Sequence, residues 1–66
     1  MKLKKLKPRF DLRSELILPN EGKKGYQVLA IRWGWVVNEY CYLFEIHGVS
    51  KWIAESNLTQ LNKLKS

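Results

Sequence analysis

The stretch Tyr40-Cys41-Tyr42-Leu43-Phe44-Glu45-Ile46-His47-Gly48-Val49-Ser50-Lys51-Trp52-Ile53-Ala54 decides how this chain is read. Tyr40, Tyr42, Phe44 and Ile46 alternate with Cys41, Leu43 and Glu45, and a period of two places the first set on one face of an extended strand. His47-Gly48 then offers a two-residue turn, and Val49 to Ala54 is short and β-prone enough to return beside it. The pair predicts a hairpin, with Tyr40, Tyr42 and Phe44 most simply the interior row, although both faces are unusually apolar and the sequence does not settle which points inward. Cys41, on the other parity, reads as a small buried hydrophobe.

Working outward, Tyr26 to Val37 is rich in β-branched and aromatic residues and reads as one further strand. Gly34, between Trp33 and Trp35, suits a bulge or bend within it, and Asn38-Glu39 a tight turn into the next strand. Pro19-Asn20-Glu21-Gly22-Lys23-Lys24-Gly25 is dense in turn residues and marks a loop. Before it, Leu12, Leu16 and Leu18 share a parity opposite to Arg13 and Glu15, as in a half-buried first strand over 12–18. After the hairpin, Glu55 to Leu58 suits a single helical turn, with Thr59-Gln60-Leu61 closing the sheet. The rival reading is a helix over 56–64, from the three-residue spacing of Leu58, Leu61 and Leu64.

Leu16 with Leu18, Gly25-Tyr26-Gln27-Val28, Tyr42 to Ile46, and Trp52-Ile53-Ala54-Glu55-Ser56-Asn57-Leu58 together resemble the SH3-like small-barrel superfamily, which includes Tudor and KOW-type modules and the small barrels of photosynthetic electron transfer. The resemblance covers roughly residues 11 to 62 and implies an all-β fold, a single five-stranded SH3-like barrel. It carries over no site residues: the Gly-rich KOW consensus is missing, and nothing around Lys51-Trp52-Ile53 matches the active-site strand of the plasmid-type dihydrofolate reductase that shares this barrel. The expected organisation is a flexible basic arm over 1–9, the barrel over 10–62 and a short basic tail over 63–66.

With 66 residues there is material for one core only, and three Trp, three Tyr and two Phe let few positions bury a large area. A single cysteine excludes an internal disulfide and four-cysteine zinc sites, and fits a reducing cytoplasm. Lys7, Pro8 and Arg9 interrupt the apolar run an export signal needs, and no run approaches a membrane span, so a soluble cytoplasmic protein is expected. His47 has no partner placed to make it a general base, and Cys41 lies about 20 Å from it along an extended strand. No catalytic function, metal or cofactor is expected.

The formal charge is +6, and its placement matters more than its size. Lys2, Lys4, Lys5, Lys7 and Arg9 at one end and Lys63 and Lys65 at the other hold the excess, while residues 10–62 carry five basic against six acidic side chains. Loose lysine-rich ends often serve solubility alone. Brought together, they would attract polyanions with strong salt dependence. Three indoles are more than a small barrel interior holds, so at least one of Trp33, Trp35 and Trp52 is expected at the surface. Arg32 beside Trp33 and Lys51 beside Trp52 then suggest cationic stacking platforms for planar groups. The expected function is a non-enzymatic binding module, its partner nucleic acid held by Trp33, Trp35, Trp52, Arg32, Lys51, Lys2, Lys4, Lys5, Lys7 and Arg9. The alternative is a protein-interaction subunit docking to a larger complex through the aromatic surface, with an acidic protein as the partner and a homo-oligomer also compatible.

Overall fold

A computed structural model describes residues 7–62. Among the described residues five strands and one helix follow one another: β1 (Glu15–Ile17), β2 (Gly25–Gln27), β3 (Ala30–Gly34), β4 (Glu39–Ile46), β5 (Val49–Ala54) and α1 (Glu55–Thr59). β1 and β2 form a two-stranded antiparallel sheet, and β3, β4 and β5 a three-stranded antiparallel one in that order. Strand is therefore the main element among the described residues, as the alternation predicts.

Turn chemistry fixes the connections. Glu21 N–H donates to Leu18 O at 3.3 Å, with Pro19 second in the turn and Asn20 third at φ +63°, the pattern of a type II turn. His47 and Gly48 both take positive φ, +51° and +80°, between the paired residues Ile46 and Val49. Two such residues make a type I′ turn, whose twist matches the flanking strands, and the predicted hairpin forms.

The row read from the alternation is the core. Tyr42, Phe44 and Ile46 are buried together with Phe10, Leu16, Leu18, Val28 and Leu58, and Tyr40, Tyr26, Ile31 and Ile53 pack against them. The Phe10 ring meets Tyr42 edge-on, centroids 5.5 Å apart. Cys41 departs from expectation: it lies half-buried on the opposite face of β4, so it is not a core residue.

Three further expectations are corrected. The strand expected over 26–37 is two strands: Val28 N–H donates to Ser14 O toward β1, and Leu29 N–H donates to Leu43 O toward β4, so consecutive residues serve different sheets. Gly34 does not form a mid-strand bulge but ends β3, and the turn to β4 is the four-residue loop 35–38 rather than Asn38-Glu39. Asn38 N–H donates to Gly34 O at 2.7 Å, and Asn38 takes φ +59°, a conformation its short polar side chain tolerates. An added Cβ on Gly34 would lie 2.9 Å from Cys41 Sγ and 3.2 Å from Glu39 O, so only glycine fits this close approach.

The third correction concerns the end of the described residues. No strand forms over 59–61, and α1 stops at Thr59 instead of running on through 62. Leu58 is buried but Leu61 is exposed, so their spacing is not a buried stripe. Asn62 stands where the closing strand was expected. Its side-chain Oδ1 accepts from Ile17 N–H at 2.9 Å, and its Nδ2 donates to Ile17 O at 3.0 Å and to Leu58 O at 3.0 Å. One amide side chain supplies a single rung of strand pairing to the open edge of β1.

Candidate functional site

The three-stranded sheet has one face on the core and one face outward. Arg32 pairs with Cys41 and Cys41 with Ala54; Ala30 pairs with Leu43 and Leu43 with Trp52. Directly opposed residues share a face, so all of these point away from Tyr42 and Phe44. Trp33 pairs with Tyr40 on the inner side. It is half-buried and packs edge-on against the Tyr40 ring.

A groove of about 410 Å³ runs along the outer side, lined by Arg32, Trp33, Trp35, Val36, Val37, Cys41 and Trp52, with Gly34 at its floor. The Arg32 guanidinium carbon sits 5.1 Å above the Trp52 ring, within the range of a cation–π contact. Trp35 is 83% exposed and Val36 98%, and Trp52 is 42% exposed. Trp35 is nevertheless braced, because its ring meets Trp33 edge-on at 6.0 Å, and Trp33 in turn meets Tyr40 at 5.0 Å. The Trp33 Nε1–H is buried with no hydrogen-bond partner among the described residues. Among them, too, Arg32 is the one formally charged residue lining the groove.

The structure brings Arg32, Trp33, Trp35 and Trp52 to one groove and separates Lys51 from them. Lys51 pairs with Phe44 and so lies on the opposite face of β5 from Trp52. Arg32 stacks on Trp52 across β4, and not on its sequence neighbour Trp33. Lys7 and Arg9 line a second cavity, about 340 Å³, on the other side of Trp33. Lys2, Lys4, Lys5, Lys63 and Lys65 lie outside the described residues.

The second cavity is electrically balanced. Lys7 and Arg9 share it with Glu39 and Glu55. Arg9 Nε lies 3.3 Å from Glu55 Oε2, and the Tyr42 hydroxyl donates to Glu55 Oε1 at 2.9 Å while accepting from Phe10 N–H at 3.3 Å. Glu39 accepts from Ser56 N–H at 2.7 Å and from Ser56 Oγ–H at 3.1 Å. Ala54, at the start of α1, offers no capping side chain, so Glu39 supplies the acceptor from across the sheet. These contacts tie segment 9–10 and α1 to β4. They read as structural, and they leave no net charge to attract an anion.

Burial pushes the Cys41 thiol up, Glu39 adding to the shift and Arg32 opposing it. A thiol held protonated is a poor nucleophile. His47 Nε2 lies 3.3 Å from Glu21 Oε1 on an exposed turn. Among the described residues no group of three His, Cys, Asp or Glu side chains gathers as metal ligands do. No helix among them is long and apolar enough to cross a membrane.

Sequence reasoning missed Val36, Val37 and Gly34 as groove residues. Their signal was present but ambiguous: Trp-Val-Val has the composition of a strand, and only Asn38 marks the turn that lifts it out of the sheet. No protein-family model, curated protein or solved structure matches the chain.

Proposed function

We propose that this chain is a non-enzymatic binding module, an SH3-like small barrel, that holds nucleic acid against the outer face of its three-stranded sheet. The observation that carries the reading is the Arg32–Trp52 stack facing the same groove as the exposed Trp35. Two indoles and a guanidinium plane form a stacking surface, and base–aromatic stacking contributes about 1 to 3 kcal/mol per base. The excess positive charge at the chain ends adds phosphate attraction that needs no sequence preference. The barrel reading rests on the bent run from β2 into β3, the β4–β5 hairpin and the helical turn that follows it. An unpaired Cys41 suits a cytoplasmic setting.

One observation favours a second reading, docking to an acidic protein. The loop 35–37 is wholly apolar and the groove carries a single cation among the described residues, a composition that suits the centre of a protein interface. Titration with oligonucleotides, followed by tryptophan fluorescence at low and moderate salt, separates the two. Saturable quenching that survives moderate salt is the expected result. An unchanged signal throughout would reject nucleic acid at the groove and favour the protein partner.

A further inference from the structure

A reader of duplex DNA places a helix or a two-stranded ribbon in the major groove, with polar side chains aimed at base edges. The outer face presents no such helix, and the tip of its β3–β4 ribbon carries no such side chains. α1 has five residues, and the loop that joins β3 to β4 presents Trp35, Val36 and Val37, which offer a base edge no donor or acceptor beyond one indole N–H. Tracking two phosphate backbones also needs several cations on the binding face, whereas among the described residues Arg32 alone lines the groove.

What the groove does present is flat and already ordered. Trp35 is exposed yet held by its edge contact with Trp33, and Trp52 is covered on one side by Arg32. Gly34 lines the same groove, where a Cβ would press on Cys41 and Val37. Such rings pair with the bare π-face of a base. In a duplex each base face is covered by its neighbours, so only an unpaired base exposes that surface without the cost of unstacking. Ordering the aromatic rings in advance removes part of the entropic cost of binding.

Resting on the nucleic-acid reading above, we infer that the groove takes a single strand, with an unpaired base lying between Trp35 and Trp52 and its phosphate near Arg32. The strand is selected by stacking, and charge plays the lesser part at this face.

The test uses the full chain and three probes at one salt concentration: a short single strand, the same strand annealed to its complement, and an equally long strand with its bases removed. The single strand is expected to bind roughly 5- to 150-fold more tightly than either of the others, the equivalent of about 1 to 3 kcal/mol of stacking. Trp35→Ala, at an exposed loop position that leaves the core intact, is expected to erase most of that margin, and Trp35→Phe to retain part of it. Equal affinity for all three probes would overturn the inference while leaving a charge-driven nucleic-acid binder standing. No binding to any of them would overturn both.

Discussion

Replacing Tyr42 by Phe removes one oxygen from the middle of the molecule and leaves the ring, its burial and its edge contact with Phe10 in place. Two hydrogen bonds disappear. The buried Phe10 N–H loses its acceptor, at 3.3 Å a long bond whose loss belongs at the low end of the roughly 1 to 3 kcal/mol for an orphaned buried group. Glu55 loses a 2.9 Å donor, and a bond to a charged group contributes about 1.5 to 3 kcal/mol, discounted here because Arg9 and water remain to solvate the carboxylate. Together the cost is about 2 to 3 kcal/mol, a large share of what so small a domain has. Thermal unfolding followed by circular dichroism would then show a midpoint lower by roughly 10 to 20 °C. The pH dependence is a second, independent readout. Burial, and then the Glu55 carboxylate, push the Tyr42 phenol above its usual value, while Phe10 N–H opposes them. The folded chain therefore keeps the neutral phenol where the unfolded chain ionises. This stabilisation is complete below the ordinary tyrosine value of about 10 and is lost as pH rises beyond it. The advantage of the parent protein over Tyr42→Phe should accordingly be constant near neutrality and shrink above about pH 10, with Tyr26 and Tyr40 common to both proteins. Equal midpoints at neutral pH, or a gap that persists unchanged into strong base, would refute the role given to this hydroxyl.

Two other substitutions test the parts that shape the groove and close the fold. Gly34→Ala drives a Cβ against Cys41 Sγ, Val37 Cγ2 and Glu39 O at 2.9, 3.0 and 3.2 Å, and the backbone oxygen cannot rotate away. Urea unfolding should show a loss of about 1 to 3 kcal/mol, partly recovered by adding Cys41→Ala, which removes the sulfur. Asn62→Ala strips both partners from the Ile17 backbone and should destabilise by about 1 to 3 kcal/mol. Amide exchange at Ile17 should accelerate more than at Leu16, whose backbone faces β2.

The parts of the fold legible in the sequence are those where local chemistry and burial agree. Tyr40, Tyr42, Phe44 and Ile46 alternate cleanly, and His47-Gly48 is a pair that tolerates positive φ, so strand and turn follow, while the buried face of a strand apolar on both sides shows only in its packing. The division of residues 26–37 was not legible, because Val28 and Leu29 are equally β-prone. Only their partners, Ser14 on one sheet and Leu43 on the other, show that the sheets part there. The loop 35–38 was hidden for a related reason: Trp, Val and Val favour strands, and the apolar tip gives no warning that it leaves the sheet. Asn62 could not be found by periodicity at all, since an amide that imitates a peptide group acts singly and leaves no repeat.

The candidate site shows the same limit in sharper form. Reading Arg32 with Trp33 and Lys51 with Trp52 as stacked pairs treats neighbours in sequence as neighbours in space, but successive side chains of a strand point to opposite faces. A cation and an indole meet on a sheet only across strands, as Arg32 and Trp52 do over β4. Lys51 is left on the core side of β5, an edge strand of the sheet. The lysine and the tryptophan beside it thus lie on opposite faces of β5, and only the tryptophan shares the groove with Arg32.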